Sequence, residues 1–235
     1  MMNKENKLKY YTYKLDMKAL NLLSIMLYIL IGGLVITIER HDNYTINTSL
    51  ITLFILMFLW LIIHEILHGI AFGLFKSVKK ENITFGMFLE KGVFYCMCKQ
   101  NITKPVILTS LLFPITIIGF ITLIIGMIIN HYELVFLSIL NIVSSIGDII
   151  MTIYFIKCPN DIIYLDLDDC TSFTVLSNKS LDHIKVPGII LDKKGPYDKN
   201  KMIAKDKRRF VISKASYILI LIIILLIAFN IIKSI

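Results

Sequence analysis

The sequence predicts an all-α membrane protein, with about five transmembrane helices and a small membrane-associated β-hairpin after the second helix. Three observations predict it. Of the 235 residues, 56% are hydrophobic and only 18% charged, and the mean hydropathy of +0.73 exceeds what a soluble domain of this size needs. The apolar residues come in blocks rather than in periodic stripes. Lysines and arginines fall in alternate loops, as orientation across a bilayer requires, so the formal charge of +8 reads as topology and not as nucleic-acid binding.

Residues 1–18 carry Lys4, Lys7, Lys9, Lys14 and Lys18 against Glu5 and Asp16, which makes a basic cytoplasmic leader. A membrane core follows over 19–165, with spans at about 19–38, 50–75, 105–129 and 134–156. The first loop has Arg40 as its one basic residue and carries sequons at Asn43 and Asn47, so it is external. After the second span, Ile83–Leu89 and Val93–Cys98 are β-prone runs on either side of Glu90-Lys91-Gly92, a hairpin over about 83–98. Pro114 and Gly119 are points where the third span can bend, and the following Asn130-His131-Tyr132-Glu133 loop is external. Residues 166–214 form a basic cytoplasmic segment, and 215–235 a C-terminal transmembrane helix. The chain thus reads as a multi-pass protein of a cell membrane with its N-terminus in the cytoplasm and no cleavable signal peptide. On that topology Cys96, Cys98, Cys158 and Cys170 face the cytoplasm as reduced thiols.

The chemistry concentrates in His64-Glu65-Ile66-Leu67-His68, inside the second span. On a helix, His64 and His68 project from one face about one turn apart, which lets both imidazoles bind a single Zn²⁺. Glu65 is turned roughly 100° from His64, within reach of a water at the metal without being a ligand. A wet amphipathic face would explain the same letters in a soluble helix, but Leu50 to Ile63 carries no charge to make one. Each ionisable group at mid-bilayer costs about 2.5–3.5 kcal/mol, so three within one turn need a compensating ion or cavity.

Two histidines leave a catalytic zinc site one protein ligand short. In the fourth span Asn141, Ser144, Ser145 and Asp148 share one helical face at offsets of three, four and seven. Asp148 lies 14 residues from Leu134 and His64 lies 14 residues from Leu50, so both sit at one depth, ~21 Å in. Asp148 is therefore the candidate third ligand, against a role in pairing with Lys157 or capping a turn at Gly147. His41, His131 and His183 read as solvated, and Asp166, Asp168 and Asp169 as a solvated acidic turn without an EF-hand glycine.

With those residues in view, 50–165 resembles the intramembrane zinc metalloproteases of the site-2 protease type, and more closely a bacterial family of zincin peptidase membrane proteins. The resemblance rests on His64-Glu65-Ile66-Leu67-His68-Gly69, the β-prone stretch after it, and Asn141 to Asp148. It implies Zn²⁺ as cofactor, His64, His68 and Asp148 as its ligands, Glu65 as the catalytic acid/base and Asn141 as a substrate-positioning group. It also implies hydrolysis of peptide bonds in membrane-embedded or membrane-proximal proteins by a metal-activated water. The Asn-Pro that site-2 proteases usually carry before the aspartate is absent here: Ile142 follows Asn141, and Gly147 precedes Asp148. The alternatives are a cation or proton transporter and a catalytically silent zinc-binding scaffold.

Overall fold

The computed structural model describes residues 8–42, 49–88, 93–167 and 171–198. The sequons, the Glu90-Lys91-Gly92 turn, Asp168, Asp169, Cys170 and the predicted C-terminal span lie outside these residues.

Helix α1 (Met17–Asp42) starts where Asp16 Oδ1 accepts the Ala19 N–H at 3.1 Å, an N-cap. Helix α2 (Leu50–Gly73) starts at Ser49, whose hydroxyl accepts the Thr52 N–H at 3.2 Å. Its outward residues are bare of protein (Ile51 is 66% exposed and Phe54 70%), as on a lipid-facing surface. Helix α3 (Lys104–Pro114) opens with Pro105 in its first turn and runs through a π-helical turn, Ile115–Ile121, into α4 (Thr122–Ile128). Asn130, with φ of 52°, turns the chain into α5 (Tyr132–Ser144), which breaks and resumes as α6 (Ile146–Lys157).

Among the described residues two stretches, Ile51–Gly73 and Lys104–Ile128, are long and apolar enough to cross a membrane, or three if α5 and α6 count as one bent span. The expected five spans are not supported. Within α1 only Met17–Ile31 registers as an apolar helix among the described residues, below the length of a span. The fourth expected span is not one rod but two helices bent by 51°.

The hairpin stands where expected, as β2 (Ile83–Phe88) against β3 (Val93–Cys98) in antiparallel register with Phe85 opposite Cys96. A hairpin as the sole β-structure is overturned. A second, five-stranded antiparallel sheet runs β4-β5-β6-β1-β7, from β1 (Lys9–Leu15), β4 (Ile102–Thr103), β5 (Ile163–Asp166), β6 (Ser172–Ser177) and β7 (Ile189–Pro196). The physical reason lies in the period-2 pattern of β1: Tyr11 and Tyr13 are buried on one face, Lys14 on the other face is exposed, and Lys9 is exposed at the start of the strand. All six residues of β6 are buried, as befits the central strand.

Sheet and helices meet at an aromatic cluster. Tyr13 lies 4.9 Å from Tyr154 between ring centroids, and Phe155 lies 5.6 Å from Phe173, which fastens the end of α6 to β1 and β6. The ammonium of Lys104, at the start of α3, donates to the backbone carbonyls of Ile156 and Cys158 and to Asn160 Oδ1, capping the end of α6.

Candidate metal centre

Helix α2 turns its buried face, His64 and His68, toward α3, α5 and α6. Each imidazole is held by its Nδ1. His68 Nδ1 donates to the backbone oxygen of Ser110 at 2.8 Å, and His64 Nδ1 to Asn141 Oδ1 at 2.9 Å. A carbonyl oxygen only accepts, so the proton of each ring belongs on Nδ1 and the lone pair on Nε2.

The two Nε2 atoms lie 3.0 Å apart, and Asp148 Oδ2 lies 3.1 Å from that of His64 and 3.5 Å from that of His68. Three lone-pair atoms thus converge with no hydrogen between them. Without a proton or a cation in their midst such a cluster repels itself. Ligands about 2.0–2.1 Å from one zinc ion in a tetrahedral site stand about 3.3 Å from each other, and the observed triangle has that size. The donor set fits the ion.

Asp148 reaches the histidines because the helix carrying it bends. Ser144 and Ser145 both turn their hydroxyls back onto the carbonyl of Asn141, at 3.0 and 2.7 Å, and Ser145 leaves helical geometry. Asn141 and Asp148, on opposite sides of the bend, then face the two nitrogens of one ring, His64. Asn141 is 3% exposed, so its side chain is engaged with His64 rather than presented to a cavity. Gly119 makes room for this packing: a Cβ there would stand 2.9 Å from Ile142 and 3.5 Å from Asn141 Nδ2.

Glu65 offers a carboxylate oxygen within 4.8 Å of the histidine ligand atoms, and its carboxylate is hydrogen-bonded by the backbone of Cys96. The ladder explains the contact. Lys99 N–H bonds back to Asn82 of the β2 side, so the odd residues of β3 face β2 and the even ones face outward. Two residues along that outer edge, the Cys98 N–H donates to Asp166 Oδ2 at 3.0 Å. Gly69, one residue past His68, admits the hairpin: a Cβ there would lie 2.3 Å from the Phe85 ring.

The remaining candidates fall elsewhere. Asp166 is not in a solvated turn but in β5, where it accepts from Cys98 N–H and from the Tyr164 hydroxyl; burial pushes its carboxyl up to about 6. His131 is exposed and its Nδ1 accepts the Leu134 N–H to cap α5, and His183 is exposed. Cys96, Cys98 and Cys158 are free thiols, and burial raises the Cys98 thiol to about 11. A cavity of about 230 Å³ joins His64, Glu65, His68 and Asp148 to Asp166, walled by β3 on one side and by Phe173 of the larger sheet on another. That wall, the Ser110 carbonyl and the serine bend were not anticipated from the residue pattern.

Residues 57–163 match a family model described as "Putative zincin peptidase" (DUF3267), just under half of the chain. That region is similar to the zincin peptidases. The match contains the whole constellation from His64 to Asp148, together with β3 and Ser110. No curated protein and no solved structure matches the chain. The zincin-like region therefore carries a His-Glu-His group with metal-binding spacing, and among the described residues two helices are long and apolar enough to cross a membrane.

Proposed function

We propose that this chain is a zinc-dependent intramembrane peptidase of the site-2 protease type, cleaving peptide bonds of membrane-embedded or membrane-proximal proteins. The observation that carries the proposal is the triangle of His64 Nε2, His68 Nε2 and Asp148 Oδ2, with edges of 3.0, 3.1 and 3.5 Å. His64, His68 and Asp148 are the residues that would hold Zn²⁺. When bound, the ion acidifies water and polarises a carbonyl. Asn141 and Ser110 fix the imidazole tautomers through Nδ1, the second layer that metal-binding histidines require. Glu65 takes a proton from the attacking water at its carboxylate and delivers it to the leaving amine. The Cys96 backbone amide holds that carboxylate in place. The lining of Phe72, Ile107, Leu111 and Met151 keeps the cavity apolar around these groups and suits an unwound hydrophobic segment.

The lipid bilayer is the remaining partner, and the reading places the chain as a multi-pass protein of a bacterial cytoplasmic membrane. The test is Glu65→Gln in the full-length protein purified in detergent, assayed on fluorescein-labelled casein. Zinc content should stay at one per chain while hydrolysis falls at least a hundredfold. Cleavage at the wild-type rate would remove Glu65 from the chemistry.

A further inference from the structure

The carbonyl that holds His68 raises a question of supply. In an α-helix the oxygen of residue 110 belongs to the N–H of residue 114. Residue 114 is Pro114, at the end of α3, and proline has no N–H to give. The next amide does not substitute, because Ile115 N–H bonds to the oxygen of Leu112. The Ser110 carbonyl is therefore released from its helix, within a buried layer, and it takes the Nδ1 proton of His68 at 2.8 Å. The Ser110 hydroxyl adds a longer contact to the same nitrogen, at 3.4 Å.

We propose that Pro114 is a positioning residue for the metal centre: by withholding an N–H it reserves the Ser110 carbonyl for His68, and so sets the tautomer that leaves Nε2 free to ligate. Pro114 does not line the cavity and acts wholly through a backbone oxygen four residues before it. The inference rests on the reading of His64, His68 and Asp148 as zinc ligands. It explains why a proline stands in the middle of a membrane-spanning stretch where an ordinary helix former would give a straighter rod. The π-helical turn that follows, Ile115–Ile121, is the structural trace of the interrupted ladder.

The experiment measures zinc affinity of the full-length detergent-solubilised protein by competition with a chelator, together with the unfolding temperature of the zinc-free form. Pro114→Ala restores the N–H. It should weaken zinc binding at least tenfold while the zinc-free protein unfolds at the same temperature or higher, since alanine is the better helix former. Lactic acid incorporated in place of Pro114 puts an ester oxygen where the N–H would be, and should keep zinc affinity within threefold of wild type. Affinity within twofold of wild type for Pro114→Ala overturns the inference. So does an equal loss in both variants, which would assign the effect to the bend rather than to the missing donor. His68→Ala separates the two levels: if it binds zinc as tightly as wild type, the ligand reading itself falls.

Discussion

The ammonium of Lys104 lies 2.6 Å from the backbone oxygen of Cys158, a cation at the first residue of α3 closing the last turn of α6. Two further oxygens, of Ile156 and the Asn160 side chain, take its other protons at 3.2 Å each. The helix that carries Asp148 is thus tied at its far end to the helix that carries Ser110. Lys104→Met keeps the apolar stem but leaves three acceptors without a donor. We expect a loss of about 1.5–3 kcal/mol of stability, read as a lower unfolding temperature, and a smaller loss for Lys104→Arg. An unchanged unfolding temperature for Lys104→Met would show that the cap is dispensable.

Asn141 supplies the oxygen that orients His64. Asn141→Ala removes it and should lower zinc affinity roughly 10- to 100-fold, with near-normal helix content by circular dichroism. Zinc affinity equal to wild type would leave Asn141 without a role at His64.

Asp166 gives the protein a measurable pH dependence. Burial holds its carboxyl at about 6, above the ordinary ~3.9 of an unfolded aspartate. A folded value above the unfolded one means that the folded chain binds the proton more tightly. The stability this contributes is fully present below pH ~3.9 and is lost as the pH rises through about 6. Asp166→Asn keeps an acceptor oxygen for Cys98 and removes the ionisation. Its unfolding temperature should therefore gain on that of wild type between pH 4 and pH 7, and parallel curves across that range would contradict the assignment.

Two glycines beside the hairpin should respond differently to alanine. At Gly69 the added Cβ meets the far end of the exposed Phe85 ring, which can swing aside. At Gly86 it meets the ring of Tyr95, which is 7% exposed and fills the space across the ladder. Gly86→Ala should accelerate amide hydrogen exchange across Ile83–Cys98 by at least tenfold, and Gly69→Ala by less than threefold. Equal effects would mean that Tyr95 yields as readily as Phe85.

Much of the site could be read from the letters. The spacing of His64 and His68 is a helical property, and an equal count of residues from Leu50 and from Leu134 set Asp148 level with His64. The approach to His64 from both sides could not be read, because it depends on the bend at Ser145 and a straight helix would not produce it. Ser110 was invisible for a different reason: its backbone oxygen does the work, and a backbone oxygen has no residue-type signature. The only trace was Pro114 four positions on, which reads as a bend before it reads as a missing donor. The larger sheet was hidden by charge. Lys14 fits a topogenic leader as well as the wet side of a strand, Lys9 fits a leader as well as a strand's exposed end, and only Tyr11 and Tyr13 between them argue for the strand.

The place of β1 in its sheet has a consequence for biosynthesis. Lys9 pairs with Ser177 and with Pro196, so a strand synthesised before the helices waits for strands synthesised after them. At 5–20 residues per second that delay lasts on the order of ten seconds or more. The helices can form while the strands that wall the cavity through Phe173 are still being synthesised, and the chamber around His64 closes only when β6 and β7 arrive. A chain not yet extended through β6 and β7 therefore has an open chamber at His64.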